Sequence, residues 1–113
     1  MISREEKKLL LDVIESIHSI DEHLEKERIL EKYLSNKTKR RAVERELEII
    51  GEAINQLLKI NPNISISYAR IIVDLRNRVI HAYDSVDDII IWKIIVKDIP
   101  VLFQEITKLI DEN

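Results

Sequence analysis

One glycine and two prolines among 113 residues leave this chain few ways to turn sharply. Turns draw on these residues because glycine reaches positive φ and proline presets φ at about −65°. A β-sandwich or barrel would need many such turns, so the scarcity points to a few long helices. The apolar spacing agrees. Ser3 and Glu6 make an S-x-x-E capping box that starts a helix at Ser3, and Leu9, Leu10, Val13, Ile14, Ile17 and Ile20 recur at helical intervals. The pattern blurs at Ser19–Glu22, where a bend or short loop is expected. Leu24, Ile29, Leu30, Tyr33 and Leu34 suit one or two further turns, with a stop and restart at Ser35–Asn36.

A long helix is predicted from Lys37 to Ile60, striped by Ala42, Val43, Leu47, Ile50, Ile54, Leu57 and Leu58. Asn61–Pro62–Asn63 ends it, because proline disfavours helix at the residue before it. Gly51, inside that helix, costs about 1 kcal/mol relative to alanine; it is either a close approach of another helix or a tolerated residue. A further helix should begin near Ser65 or Ser67 and carry Tyr68, Ile71, Ile72, Leu75, Val79 and Ile80. Asp84–Ser85–Val86–Asp87 interrupts it and offers N-cap side chains. The last apolar stretch, Asp87–Asn113, contains Pro100, which is expected to kink the helix or split it. The expectation is one all-α domain over residues 1–113, a bundle of four to five helices.

Composition removes several function classes. There is no cysteine, hence no disulfide, thiolate metal site or thiol nucleophile. No apolar run approaches the ~20 residues of a membrane span, and the first residues lack a signal-peptide core; a cytoplasmic location is expected. The formal net charge of −3 does not steer the protein to nucleic acid as a whole. RNA would need local basic groups, for which Lys37, Lys39, Arg40 and Arg41, and then Arg70, Arg76 and Arg78, are the candidates. Their bland reading is solvated helix surface. His18 and His23 are five apart, not the three or four of helical metal pairs, and read as structural. The carboxylates of Glu44, Glu46, Glu48 and Glu52 suit a solvated face. No glycine-rich phosphate loop exists, and no cofactor or metal is expected.

The stretch "RNRVIHAY" at residues 76–83 raises a different prospect. Arginine offers a fixed fork of donors to phosphoryl oxygens, and histidine carries a proton near neutral pH. The pair could cleave RNA without a metal. On an ideal helix Arg76 and Tyr83 share a face, but Arg76 and His81 diverge by about 140° at roughly 100° per residue. Either the helix ends or distorts near His81, or two chains pair so that two copies face one cleft. Asn77 could add a hydrogen bond, and Tyr83 could stack on a base or accept a modification at its hydroxyl.

"RNRVIHAY" resembles the R-x4-H-x-Y motif of the HepT-type toxins of the HEPN superfamily. "RAVERELEIIGEAINQL" (residues 41–57) is similar to one of that family's long helices, including Gly51 and Glu52. The stretch from Ala69 to Leu102, with Trp92 and Asp98–Ile99–Pro100, resembles its signature region. The resemblance implies a HEPN-like antiparallel helical bundle that forms a homodimer or higher assembly, with both motifs lining a shared cleft. It implies a metal-independent ribonuclease acting as the toxin of a type VII-like toxin–antitoxin pair. Arg76 and His81 would be catalytic, Asn77 supporting, and Tyr83 the acceptor of AMP from a cognate MNT-type nucleotidyltransferase antitoxin. Arg70, Arg78, Lys37, Lys39, Arg40 and Arg41 would contact RNA. The alternative is a non-catalytic HEPN scaffold that binds the nucleotidyltransferase; it differs in that Arg76 and His81 need not share an accessible cleft.

Overall fold

A computed structural model describes residues 2–67 and 88–112. They form helices joined by turns, with no strand among the described residues. Helix α1 spans Arg4–His23, α2 Leu30–Ser35, α3 Lys37–Ile60 and α4 Asp88–Lys93. A π-helical turn, Ile94–Asp98, leads into α5, Ile99–Asp111.

The expected capping box is present: the Ser3 hydroxyl accepts from the Glu6 amide at 3.1 Å, and the Glu6 carboxylate accepts from the Ser3 amide at 3.0 Å. Two orphan donors at the start of α1 are thereby satisfied. The helix does not break at Ser19–Glu22 as the pattern suggested. It runs to His23 and closes with a Schellman arrangement, in which Lys26 N–H donates to the Asp21 carbonyl at 2.8 Å and Glu25 N–H to that of Glu22 at 3.0 Å. Glu25 and Lys26 adopt φ of 56° and 60°, a conformation usually left to glycine. Asn36 caps α3, its side chain accepting from the Lys39 amide at 3.0 Å. Both ends of α3 fall where the sequence puts them.

The described helices enclose one hydrophobic cluster, largely of aliphatic side chains. Leu10 and Val13 of α1, Leu47, Ile50, Ile54 and Leu57 of α3, and Ile91, Ile95, Leu102 and Ile106 from the C-terminal elements are buried. α1 packs chiefly along α3 and also on α5, while α2 packs on α3. Each such side chain contributes about 1.5–3 kcal/mol by leaving water. Gly51 is buried on the same face as Leu47 and Ile54.

Pro100 splits the C-terminal stretch. It occupies the second position of α5, where its missing N–H is not needed. In an unbroken α-helix its ring would meet the carbonyl four residues back. The turn before it is instead wound wider, with Ile99 N–H donating to the Ile94 carbonyl five residues back. The helix expected from Ser65 or Ser67 through Ile80, and the break at Asp84–Asp87, lie outside the described residues from Tyr68 onward.

Candidate functional site

Arg76, Asn77, His81 and Tyr83, together with Arg70 and Arg78, lie outside the described residues. What is described is the frame on either side. Ser67 is the last residue before that segment. Its amide donates to both Glu105 carboxylate oxygens at 3.2 Å, and its hydroxyl to Oε2 at 2.7 Å. Glu105 stands on α5 beside buried Ile106. Asp88 is the first residue after the segment and the first of α4. Its Oδ2 lies 3.5 Å from Nε of Arg40, on α3. Another nitrogen of the same guanidinium donates to the Leu34 carbonyl.

The basic group at the start of α3 divides. Lys37 and Arg41 are exposed. The Lys39 side chain is only 14% exposed, with Nζ 3.7 Å from Glu25. Arg40 is committed to Asp88 and Leu34. No acid stands in the first turn of α3. The cations therefore sit at the positive end of the helix dipole and add to it rather than cancel it. Lys37 and Arg41 thus give an exposed point of positive potential at the start of α3.

Beside the Arg40–Asp88 pair is a buried aromatic contact. Tyr33 of α2 and Trp92 of α4 have ring centroids 5.2 Å apart. The Tyr33 hydroxyl is buried and has no hydrogen-bond partner among the described residues. Burial, and then the negative charges of Asp88 and Glu44, push its phenol well above the ordinary range. Glu44 is half-buried; burial first, then the Asp88 and Glu48 carboxylates, raise its pKa against the opposing pull of Arg41 and Arg40.

A groove of about 610 Å³ between α1 and α3 has the opposite character. Asp12, Glu15, Glu46, Glu48 and Glu52 line it, with Arg45 as the one cation among the described residues. Such a lining carries negative potential and repels anions. Glu46 pairs with His23 at 3.0 Å, and the His18 ring packs 5.7 Å from that of Phe103. Each histidine thus has a partner side chain within the bundle. Among the described residues, no three His, Asp or Glu side chains converge to hold a metal ion. No helix described is long and apolar enough to cross a membrane.

Sequence reasoning missed Glu105, Asp88 and Tyr33. Ser67 and Glu105 are 38 positions apart, and no local pattern announces such a pair.

Comparison with known proteins gives the frame its context. The family model described as "Ribonuclease HepT-like" matches residues 13–109, a range that includes the whole RNRVIHAY stretch. A Methanocaldococcus jannaschii protein named "Putative RNase MJ1380" is 36% identical over 110 residues, covering 94% of this chain and 97% of that one. A Thermococcus cleftensis protein named "Probable ribonuclease HepT" is 37% identical over 112 residues, covering 96% and 98%. No solved structure matches. A family match that spans most of the chain, and relatives aligned nearly end to end, lead to one conclusion: the chain belongs to the HepT-like ribonuclease family.

Proposed function

We propose that this protein is a metal-independent ribonuclease, the toxin of a toxin–antitoxin pair, acting from the cytoplasm as a homodimer. The observation that carries the reading is the family match running through residues 76–83, the one stretch whose residue types suit phosphodiester cleavage. His81 removes the proton of a ribose 2′-hydroxyl, whose oxygen attacks the adjacent phosphorus. The phosphorus–O5′ bond breaks, leaving a 2′,3′-cyclic phosphate. Arg76 stabilises the charge that grows on the phosphoryl oxygens. His81 of a second copy protonates the departing O5′, and Asn77 supports the phosphate by hydrogen bonding. The two copies resolve the divergence of Arg76 and His81 on one helix. Lys37 and Arg41, exposed at a helix N-terminus, suit the RNA backbone, as do Arg70 and Arg78.

The same reading assigns Tyr83 as the acceptor of AMP from a nucleotidyltransferase antitoxin. The added anion beside Arg76 would occupy the place of the substrate phosphate and repel RNA.

The test is cleavage of a broad RNA pool by purified protein in excess chelator, after intact mass has confirmed an unmodified Tyr83. Wild type should cut, and His81→Ala should lose at least a hundredfold in rate. Equal cutting by both removes His81 from the chemistry. No cutting by a folded, unmodified wild type replaces the nuclease with a scaffold that binds the nucleotidyltransferase.

A further inference from the structure

Two surfaces of this chain, far apart in sequence, match in shape and oppose in charge. One is the acidic groove. Its two helices run antiparallel: Asn61, just past the end of α3, meets Glu6 near the start of α1, and His23 at the end of α1 meets Glu46. The groove follows both, along residues 9–19 of α1 and 45–56 of α3. At 1.5 Å per residue that is a trough about 16 Å long. Leu9, Ser16 and Ala53 are buried at its base. Serine and alanine are small there, so another helix can come close. Asp12 and Glu15 on one side, and Glu46 and Glu48 on the other, supply the negative walls.

Ser16 is a second and independent sign of an occupant. It is 4% exposed, and what surface it keeps opens into the groove. Its hydroxyl makes no hydrogen bond among the described residues. A polar group placed in this way gains by meeting a donor from outside.

The other surface is the outward side of α4, the wide turn and α5. Opposite buried Ile91, Ile95, Leu102 and Ile106, it presents Ile89, Ile90, Val96 and Val101, each 37–43% exposed. Half of the large apolar side chains exposed among the described residues fall in this one stretch, which marks a contact surface rather than scatter. Lys93 and Lys97 stand among them, exposed and one turn apart. Neither has a carboxylate partner among the described residues. Residues 89–101 rise about 18 Å, close to the length of the groove.

We infer that the groove of one copy of this chain receives the ridge of residues 89–101 of a second copy. A helix laid in a groove sets its apolar side chains on the floor and its charges against the walls. Ile90, Val96 and Val101 cover Leu9 and Ala53, and Lys93 and Lys97 meet the carboxylates. Glu15 has no cation of its own among the described residues, and the Ser16 hydroxyl accepts from a lysine ammonium. This contact is separate from the shared motif cleft and stands without the ribonuclease reading. Every chain carries both halves, so association passes from copy to copy and mass grows with concentration.

Sedimentation equilibrium of the full chain over a wide range of concentration, at low and high salt, tests the contact. Lys93→Glu with Lys97→Glu reverses the ridge, and Glu15→Lys with Glu48→Lys reverses both walls of the groove. Circular dichroism checks that each variant is folded. Wild type should associate, and more weakly at high salt. Each pair of reversals should weaken association at least tenfold, and Ser16→Ala about tenfold. Mixed together, the two reversed proteins bring one native groove and one native ridge, so each should bind the other although neither binds itself. A wild type that stays monomeric overturns the inference, as do equal masses for wild type and both reversed variants. A loss that mixing does not restore also overturns it, because the two surfaces then do not meet.

Discussion

Tyr33 is 1% exposed, and its hydroxyl finds no hydrogen-bond partner among the described residues. A buried hydroxyl left unpaired costs about 1–3 kcal/mol. Tyr33→Phe deletes that oxygen and keeps the ring that packs on Trp92. The space left behind is a single atom's worth, which returns well under about 1 kcal/mol of the gain. The variant should therefore be more stable by about 1 kcal/mol, a rise in Tm of about 4–6 °C for a chain of this length. Alkali should widen the difference. Burial, then Asp88 and Glu44, raise the phenol pKa in the folded state. The folded protein thus favours the protonated phenol, a contribution fully present below the unfolded value of about 10 and lost progressively as pH rises above it. Wild type should weaken there while Tyr33→Phe does not. Urea unfolding followed by circular dichroism at pH 7 and pH 10.5 measures both effects. A loss of about 1 kcal/mol or more in Tyr33→Phe at pH 7 would refute the reasoning, because it would mean that the hydroxyl is hydrogen-bonded.

Three other substitutions follow from the same structure. Glu44 has a raised pKa, chiefly from burial, so its ionised form opposes folding at neutral pH; Glu44→Gln should raise the urea midpoint at pH 7 and leave it unchanged near pH 3, where the carboxyl is protonated in both states. Lys37→Glu places an anion at the positive end of α3 and should stabilise by about 0.5–1 kcal/mol. The same change should weaken RNA binding and reduce the salt slope of log K by about 0.7, and an unchanged slope takes Lys37 off the RNA surface. Glu25→Gly relieves a left-handed residue at the end of α1 and should gain about 0.5–1 kcal/mol in thermal unfolding, even though the contact with Lys39 is lost; a net loss would make that contact the stronger effect.

The legibility of this molecule followed the range of the interactions involved. The start of α1 and both ends of α3 were readable because the deciding groups lie within three residues of the boundary: Ser3 with Glu6, Asn36 with Lys39, and Pro62 after Asn61. The end of α1 was not, because Glu25 and Lys26 hold a conformation for which sequence would expect glycine. The tie from Ser67 to Glu105 and that from Arg40 to Asp88 were not, because tertiary folding alone brings those pairs together. Arg40 illustrates the difference. In sequence it belongs to a basic run beside Lys39 and Arg41; in space its guanidinium is shared between Asp88 and the Leu34 carbonyl. Family membership was legible in the likeness of residues 41–57 and 69–102 to HepT-type proteins, and the comparisons bear that membership out.

The wide turn at Ile94–Asp98 carries a consequence for how the chain tolerates change. It holds one residue more than an α-helical turn needs, and Pro100 sits just beyond it. Deleting exposed Val96 would draw the turn back to α geometry and drive the proline ring into the carbonyl behind it, a loss of about 3 kcal/mol. Replacing Pro100 with alanine alone would restore a donor but leave the surplus residue still to be accommodated. Made together, the two changes would give an uninterrupted α-helix with Ile91, Ile95, Leu102 and Ile106 still on one side. Surplus residue and proline are thus epistatic partners: each is a fault alone, each excuses the other, and neither can be judged by single substitution.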